Sequence, residues 1–231
     1  MTDLVYIVGA TGALDHLELR HSIRSMQQHL TGIGQIVIVG HCPADLEGVL
    51  HIPADDETAD PAKNIYRKIL KACEDPRVSD HFLCASDDHF LLKDFAAEEF
   101  PNFYSEDLHE SADFQSKENY YKKHLESTIA ALEAQELPTL NYNVHCPILY
   151  YKSMFLEVMP GYEWNVKHGY LCKSLYANTL RLQGRKNKDL KFHHPKTLAA
   201  IHRWIRDKPF FSTSDFAMNN EMKSFLAQLF S

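Results

Sequence analysis

Three short apolar runs constrain this chain more than any other feature. They are residues 3–9 (Asp-Leu-Val-Tyr-Ile-Val-Gly), 35–39 (Gln-Ile-Val-Ile-Val) and 81–85 (His-Phe-Leu-Cys-Ala). Runs of this length, bounded by glycine or acids, predict strands buried on both faces. Between the first two, Leu19, Ile23, Met26 and Leu30 recur at helical spacing over residues 16–30, with Asp15 as the expected cap and Gly32 and Gly34 as the stop. Asp60-Pro61 opens a second helix, proline being suited to the first helical position, and Ile65, Ile69 and Ala72 carry it to about Glu74. A short strand is expected over 49–52. Strands alternating with helices imply an α/β fold, a mostly parallel Rossmann-type sheet flanked by helices.

Ligands of such sheets bind beyond the carboxyl ends of the strands. Here those ends carry Gly9-Ala10-Thr11-Gly12, Gly40-His41 and Asp87-Asp88-His89. Residues 1–93 therefore read as a nucleotide-type α/β half. Residues 94–231 read as a mostly helical part packed on it in one domain. Helices are expected near 117–136, 171–182, 196–206 and 216–229, a strand broken by Pro147 over 144–151, and loops over 94–116 and 207–215.

Of the 231 residues, 45% are hydrophobic and 24% charged, which excludes disorder and fibrous folds. No apolar run is long enough for a membrane span, and the start lacks a signal-peptide pattern, so a cytoplasmic setting is expected. The five cysteines are widely spaced without a C-x-x-C pair, which predicts reduced thiols. The net charge is −7, yet residues 164–208 hold eleven basic residues against Asp189 and Asp207. That block suits either a phosphate-rich partner or two solvated helix faces.

The glycine turn after the first strand does not fit a dinucleotide site: Asp15 stands where a third glycine belongs, and Gly40-His41 offers no acid for a ribose. Gly9, Ala10 and Thr11 suit the wall of a nucleotide pocket instead. Adjacent carboxylates at the end of a buried strand are costly unless neutralised, and Mn²⁺ or Mg²⁺ does this through hard oxygen ligands. An acid-rich turn without a ligand has the same sequence. His89 extends the set Asp87-Asp88, and His145 is a candidate metal ligand or acid–base group. Arg20 and Lys63, near the same edge, are candidates to meet a diphosphate.

The segments Asp3-Leu-Val-Tyr-Ile-Val, Glu18-Leu-Arg-His-Ser-Ile-Arg-Ser and Phe82-Leu-Cys-Ala-Ser-Asp-Asp-His-Phe carry a family resemblance. Over roughly residues 3–93 the chain resembles nucleotide-sugar glycosyltransferases of the GT-A fold. It is also similar to Stealth-type capsular polysaccharide phosphotransferases, where an E-L-R-x-S-x-R-S helix and an N-D-D-x-F strand end recur. A looser match surrounds His145-Cys146-Pro147 and residues 174–178. Histidine fills the third position of the usual D-x-D, and Gly9-Ala10-Thr11 replaces the Stealth Trp-Val-Asp/Asn-Gly segment.

The resemblance implies a metal-dependent transfer from a nucleoside-diphosphate sugar to an acceptor hydroxyl. Gly9, Ala10, Thr11, Arg20, Lys63 and Asp87 would bind the donor. Asp87, Asp88 and His89, with His145, would hold Mn²⁺ or Mg²⁺, and Asp88 would act in catalysis through that ion. Glu163, His168 and Asp215 are the candidate bases in an acceptor-binding second half. The expected acceptor is a glycan or a hydroxymethylated base in DNA. A sugar-phosphate transfer and a non-catalytic nucleotide-binding module are the alternatives.

Overall fold

The computed structural model describes residues 1–9, 16–115 and 119–230. Strand β1 (Thr2–Val8) is buried along its whole length and lies at the centre of a five-stranded sheet. It pairs in parallel with β2 (Ile33–Gly40), which pairs in parallel with β3 (Leu50–Ile52). On its other side β1 pairs in parallel with β4 (His81–Ala85). These are the strands expected from the apolar runs.

Alternation along β1 sorts its side chains to two faces. Leu4, Tyr6 and Val8 join Leu19, Ile23 and Met26 of helix α1 (Leu17–His29) in one core. Val5 and Ile7 join Tyr66, Ile69 and Ala72 of helix α2 (Pro61–Glu74) in the other. Asp60 caps α2 as expected, accepting from Ala62 N–H at 2.9 Å and Lys63 N–H at 3.4 Å. The residue capping α1 is His16, in a left-handed conformation with φ 55°, not the expected Asp15, which lies outside the described residues. Helix α1 stops at His29, ahead of both glycines.

Past the Ser86–Asp88 turn, β5 (His89–Leu91) leaves this sheet. The fifth strand of the main sheet comes from the second half: β6 (Ile148–Tyr151) runs antiparallel to β4, directly after Pro147. Helix α3 (Tyr120–Glu133) and helix α5 (Cys172–Thr179) cover the same face as α2, and α4 (Lys152–Val158) follows β6.

Residues 207–215, expected as a loop, contain β8 (Phe210–Thr213), all four residues of it buried. It is the middle strand of a second sheet, parallel to β7 (Lys191–Phe192) and antiparallel to β5. Four residues are too few for their alternation to identify a strand, and the partner that stabilises it lies far away in sequence. Residues 94–116, also expected as a loop, hold short strands at Phe95–Ala96 and Phe103–Tyr104. Helices α6 (Leu198–Ile205) and α7 (Asn220–Leu229) close a third core around Phe90, Phe192, Phe211 and Phe225.

Gly40, at the end of β2, has φ +116°, and a Cβ there would lie 2.0 Å from the Val8 carbonyl oxygen. Only glycine lets the ends of β1 and β2 approach so closely.

Candidate active site

The parallel strands end on one edge, and a cavity of about 640 Å³ opens there. Gly9 follows β1, Glu18 lies in the first turn of α1, and Asp87 and Asp88 occupy the turn after β4; all four line the cavity. The opposite wall brings His145, Lys173, Lys191 and Asp215 from the second half.

Carboxylates crowd this edge. Asp87 is pushed up to about 6, first by burial and then by the charges of Asp88 and Asp215. Glu18 is pushed up to about 7, again first by burial, with Asp88, Asp87 and Asp215 adding to it. Thr213 of β8 donates a hydrogen bond to Glu18 Oε1 and opposes that rise. Asp88 behaves differently. Burial opposes its ionisation, yet His89, Lys191 and His145 hold it below its ordinary value. Lys191 Nζ lies 2.9 Å from Asp88 Oδ2, and His89 Nε2 lies 3.7 Å from Oδ1.

Two histidines share this wall with opposite arrangements. His89 is buried, and its Nδ1 accepts the Ser86 backbone N–H at 3.2 Å. His145 instead turns Nδ1 to Asp189 Oδ2 at 2.5 Å. Their rings meet edge to face at 6.5 Å. Among the described residues no group of three His, Cys, Asp or Glu side chains is already arranged to hold a metal ion.

The structure thus brings Gly9, Asp87, Asp88, His89, His145 and Asp215 to one cavity, and Ala10 and Thr11 lie outside the described residues. Four expected residues are elsewhere. Arg20 reaches Asp45 at 2.6 Å on the surface. Lys63 Nζ donates to the Val166 carbonyl and lines a separate hollow of about 350 Å³ beside Tyr66 and Trp164. Glu163 is exposed and accepts the Asn165 N–H at 2.7 Å. His168 sits edge-on to Tyr120 at 5.8 Å, behind His124.

Of the cavity's lysines, Lys173 and Lys191 belong to the basic block of the sequence, whereas sequence reasoning missed Lys68. Lys68 is buried on α2; its Nζ donates to the Val8 carbonyl at 2.9 Å and to Asp56 Oδ1 at 2.6 Å. The available signal was a lysine one turn from Asn64 and Ala72 on the stripe of α2 that faces the sheet. Lys173 donates to the carbonyls of Val144 at 2.9 Å and Cys146 at 2.6 Å. Glu18 was visible only as part of the helix motif.

No protein-family model and no curated protein matches the sequence. Among solved structures, the chain is similar to the galactosyltransferase LgtC in complex with donor and acceptor sugar analogs. The TM-score is 0.47 at 14% identity, over 100% of this chain and 96% of that one. A likeness this distant transfers no residue roles. Among the described residues no helix is long and apolar enough to cross a membrane.

Proposed function

We propose that the chain is a glycosyltransferase that moves a sugar from a nucleoside-diphosphate sugar to an acceptor hydroxyl, using Mn²⁺ or Mg²⁺. The observation that carries this reading is the cavity at the carboxyl edge, where carboxylates and lysines face each other within about 640 Å³. That volume falls in the usual range for small-molecule sites.

The donor set suits a divalent ion in its chemistry. Hard carboxylate oxygens dominate, and the crowding that raises Asp87 and Glu18 is what a divalent charge relieves. Asp87 and Asp88 would hold the ion, with His145 as a nitrogen ligand. When bound, the ion supplies charge neutralisation for a leaving diphosphate. Lys191, 2.9 Å from Asp88, lines the same cavity and would meet a phosphate oxygen of the donor. Asp215 is the one of the three expected bases that lines the cavity, and it is exposed. We assign it the proton of the acceptor hydroxyl, in a glycan acceptor.

The test is a screen of nucleoside-diphosphate sugars by thermal shift and mass spectrometry, with and without Mn²⁺. A metal-dependent rise in Tm with consumption of one donor is expected. Asp88→Ala should lower that turnover by roughly a hundredfold or more while the protein stays folded. No stabilisation by any nucleotide, and no donor consumed, would refute the reading.

A further inference from the structure

The cavity does not use up the basic block of the sequence. Lys173 and Lys191 line it, but Lys196, Arg203, Arg206 and Lys208 lie outside it and pair with no acid among the described residues. Residues 191–208 hold five basic residues against Asp207 alone, in a chain whose net charge is −7. Two exposed aromatic rings stand among these cations. Phe216 is 69% exposed, more than any other large apolar side chain among the described residues except Met1, and Trp204 is 43% exposed. One such ring on a surface needs no explanation, but two set among unpaired cations form a recognition pattern.

The fold joins these groups into one strip that starts at the cavity. The Ser214 N–H donates to the Phe192 carbonyl at 3.0 Å, and Ser214 Oγ donates to the His193 carbonyl at 3.3 Å, which sets the ends of β7 and β8 side by side. Asp215 lines the cavity, and Phe216 follows it, its ring edge to face with His194 at 5.7 Å. Asn219 Nδ2 donates to the Lys196 carbonyl at 3.1 Å. Lys196 Nζ lies 4.8 Å from the centre of the Trp204 ring, which stacks on Phe192 at 5.5 Å. Arg203 precedes Trp204 on α6 and is exposed.

We infer that this strip docks on a bilayer surface rich in anionic phospholipid, with Phe216 and Trp204 entering the interface and Lys196 and Arg203 meeting lipid phosphates. Charge and shape select this occupant. A second copy of the chain would set the same cations against one another. A single-stranded nucleic acid needs a groove and free ring faces. Trp204 is already engaged by Phe192 and Lys196, and His194, Lys196, Arg203, Trp204 and Phe216 all lie outside the cavity. Docking would hold the Asp215 side of the cavity toward the bilayer, where an acceptor hydroxyl carried on a lipid can reach it. That consequence rests on the glycosyltransferase reading; the docking does not.

Sedimentation with vesicles, in the absence of nucleotide and metal, tests the docking. Wild type should pellet with vesicles of phosphatidylcholine and phosphatidylglycerol in equal parts, and stay in solution with phosphatidylcholine alone. Replacing both Lys196→Gln and Arg203→Gln should weaken binding roughly 25-fold, about fivefold for each charge near an anionic surface. Phe216→Ser should weaken it roughly tenfold through the loss of one buried aromatic side chain. Should the double variant fail to fold, Phe216→Ser decides alone, because its ring is exposed in the free protein. Wild type that binds both lipid mixtures alike, or neither, overturns the inference, as do variants that bind like wild type. So does a dimer in vesicle-free ultracentrifugation that Phe216→Ser dissociates, or single-stranded DNA bound tighter than the vesicles and released by the same substitutions. A wild type that docks on the anionic vesicles but consumes no nucleoside-diphosphate sugar keeps the docking and refutes the proposed function instead.

Discussion

Replacing Glu18 by Gln should change how stability depends on pH. Glu18 is only 7% exposed, and its carboxyl rises from an ordinary 4.5 to about 7. The folded protein therefore holds this proton more tightly than the unfolded chain does. The stability from that preference is complete below about pH 4.5 and is lost as pH rises through about 7. At about 1.4 kcal/mol per pH unit, the rise corresponds to about 3 kcal/mol. For a chain of 231 residues each kcal/mol moves Tm by about 2–4 °C. Asp87 titrates in the same window, at about 6, so the two carboxyls act as a coupled pair and Glu18 carries part of the slope. Gln keeps an oxygen to accept from Thr213 but cannot ionise. Thermal unfolding without divalent cations, followed from pH 5 to pH 8, should show Glu18→Gln close to wild type at the acid end. At the basic end the variant should be several degrees more stable. Parallel curves for the two proteins would refute the argument from burial and like charge.

Asp56→Ala leaves the Lys68 ammonium buried beside the Val8 carbonyl, and should cost on the order of 2 kcal/mol in urea unfolding, less than for a fully buried pair because Asp56 is a third exposed. Gly40→Ala places a Cβ against the Val8 carbonyl at a positive φ, and should destabilise by about 3 kcal/mol or yield insoluble protein; wild-type unfolding behaviour would contradict that geometry.

The main sheet was legible because β1, β2 and β4 are buried on both faces, and such strands declare themselves as unbroken apolar runs. Helix α2 was legible for a local reason, an Asp-Pro start. Strand β8 was not, because Phe210–Thr213 is too short to show a period and depends on pairing with His89–Leu91. The site divides the same way. Asp87 and Asp88 stand at the end of an apolar run, so their position followed from β4. Their partners did not: Lys191 meets Asp88 across 103 residues, and Asp189 meets His145 across 44. Ion pairs across such separations leave no periodic trace. Arg20 misled because its place on α1 gave its height along the helix but not the direction of its guanidinium, which Asp45 takes.

The route of the chain around the cavity also sets an order of assembly. Gly9 and the acidic turn are synthesised early, whereas Thr213, Ser214 and Asp215 emerge from the ribosome long after them. Until β8 arrives, β5 has an open edge and Glu18 lacks its threonine partner. A growing polypeptide therefore has no enclosed cavity at this edge until synthesis has passed β8.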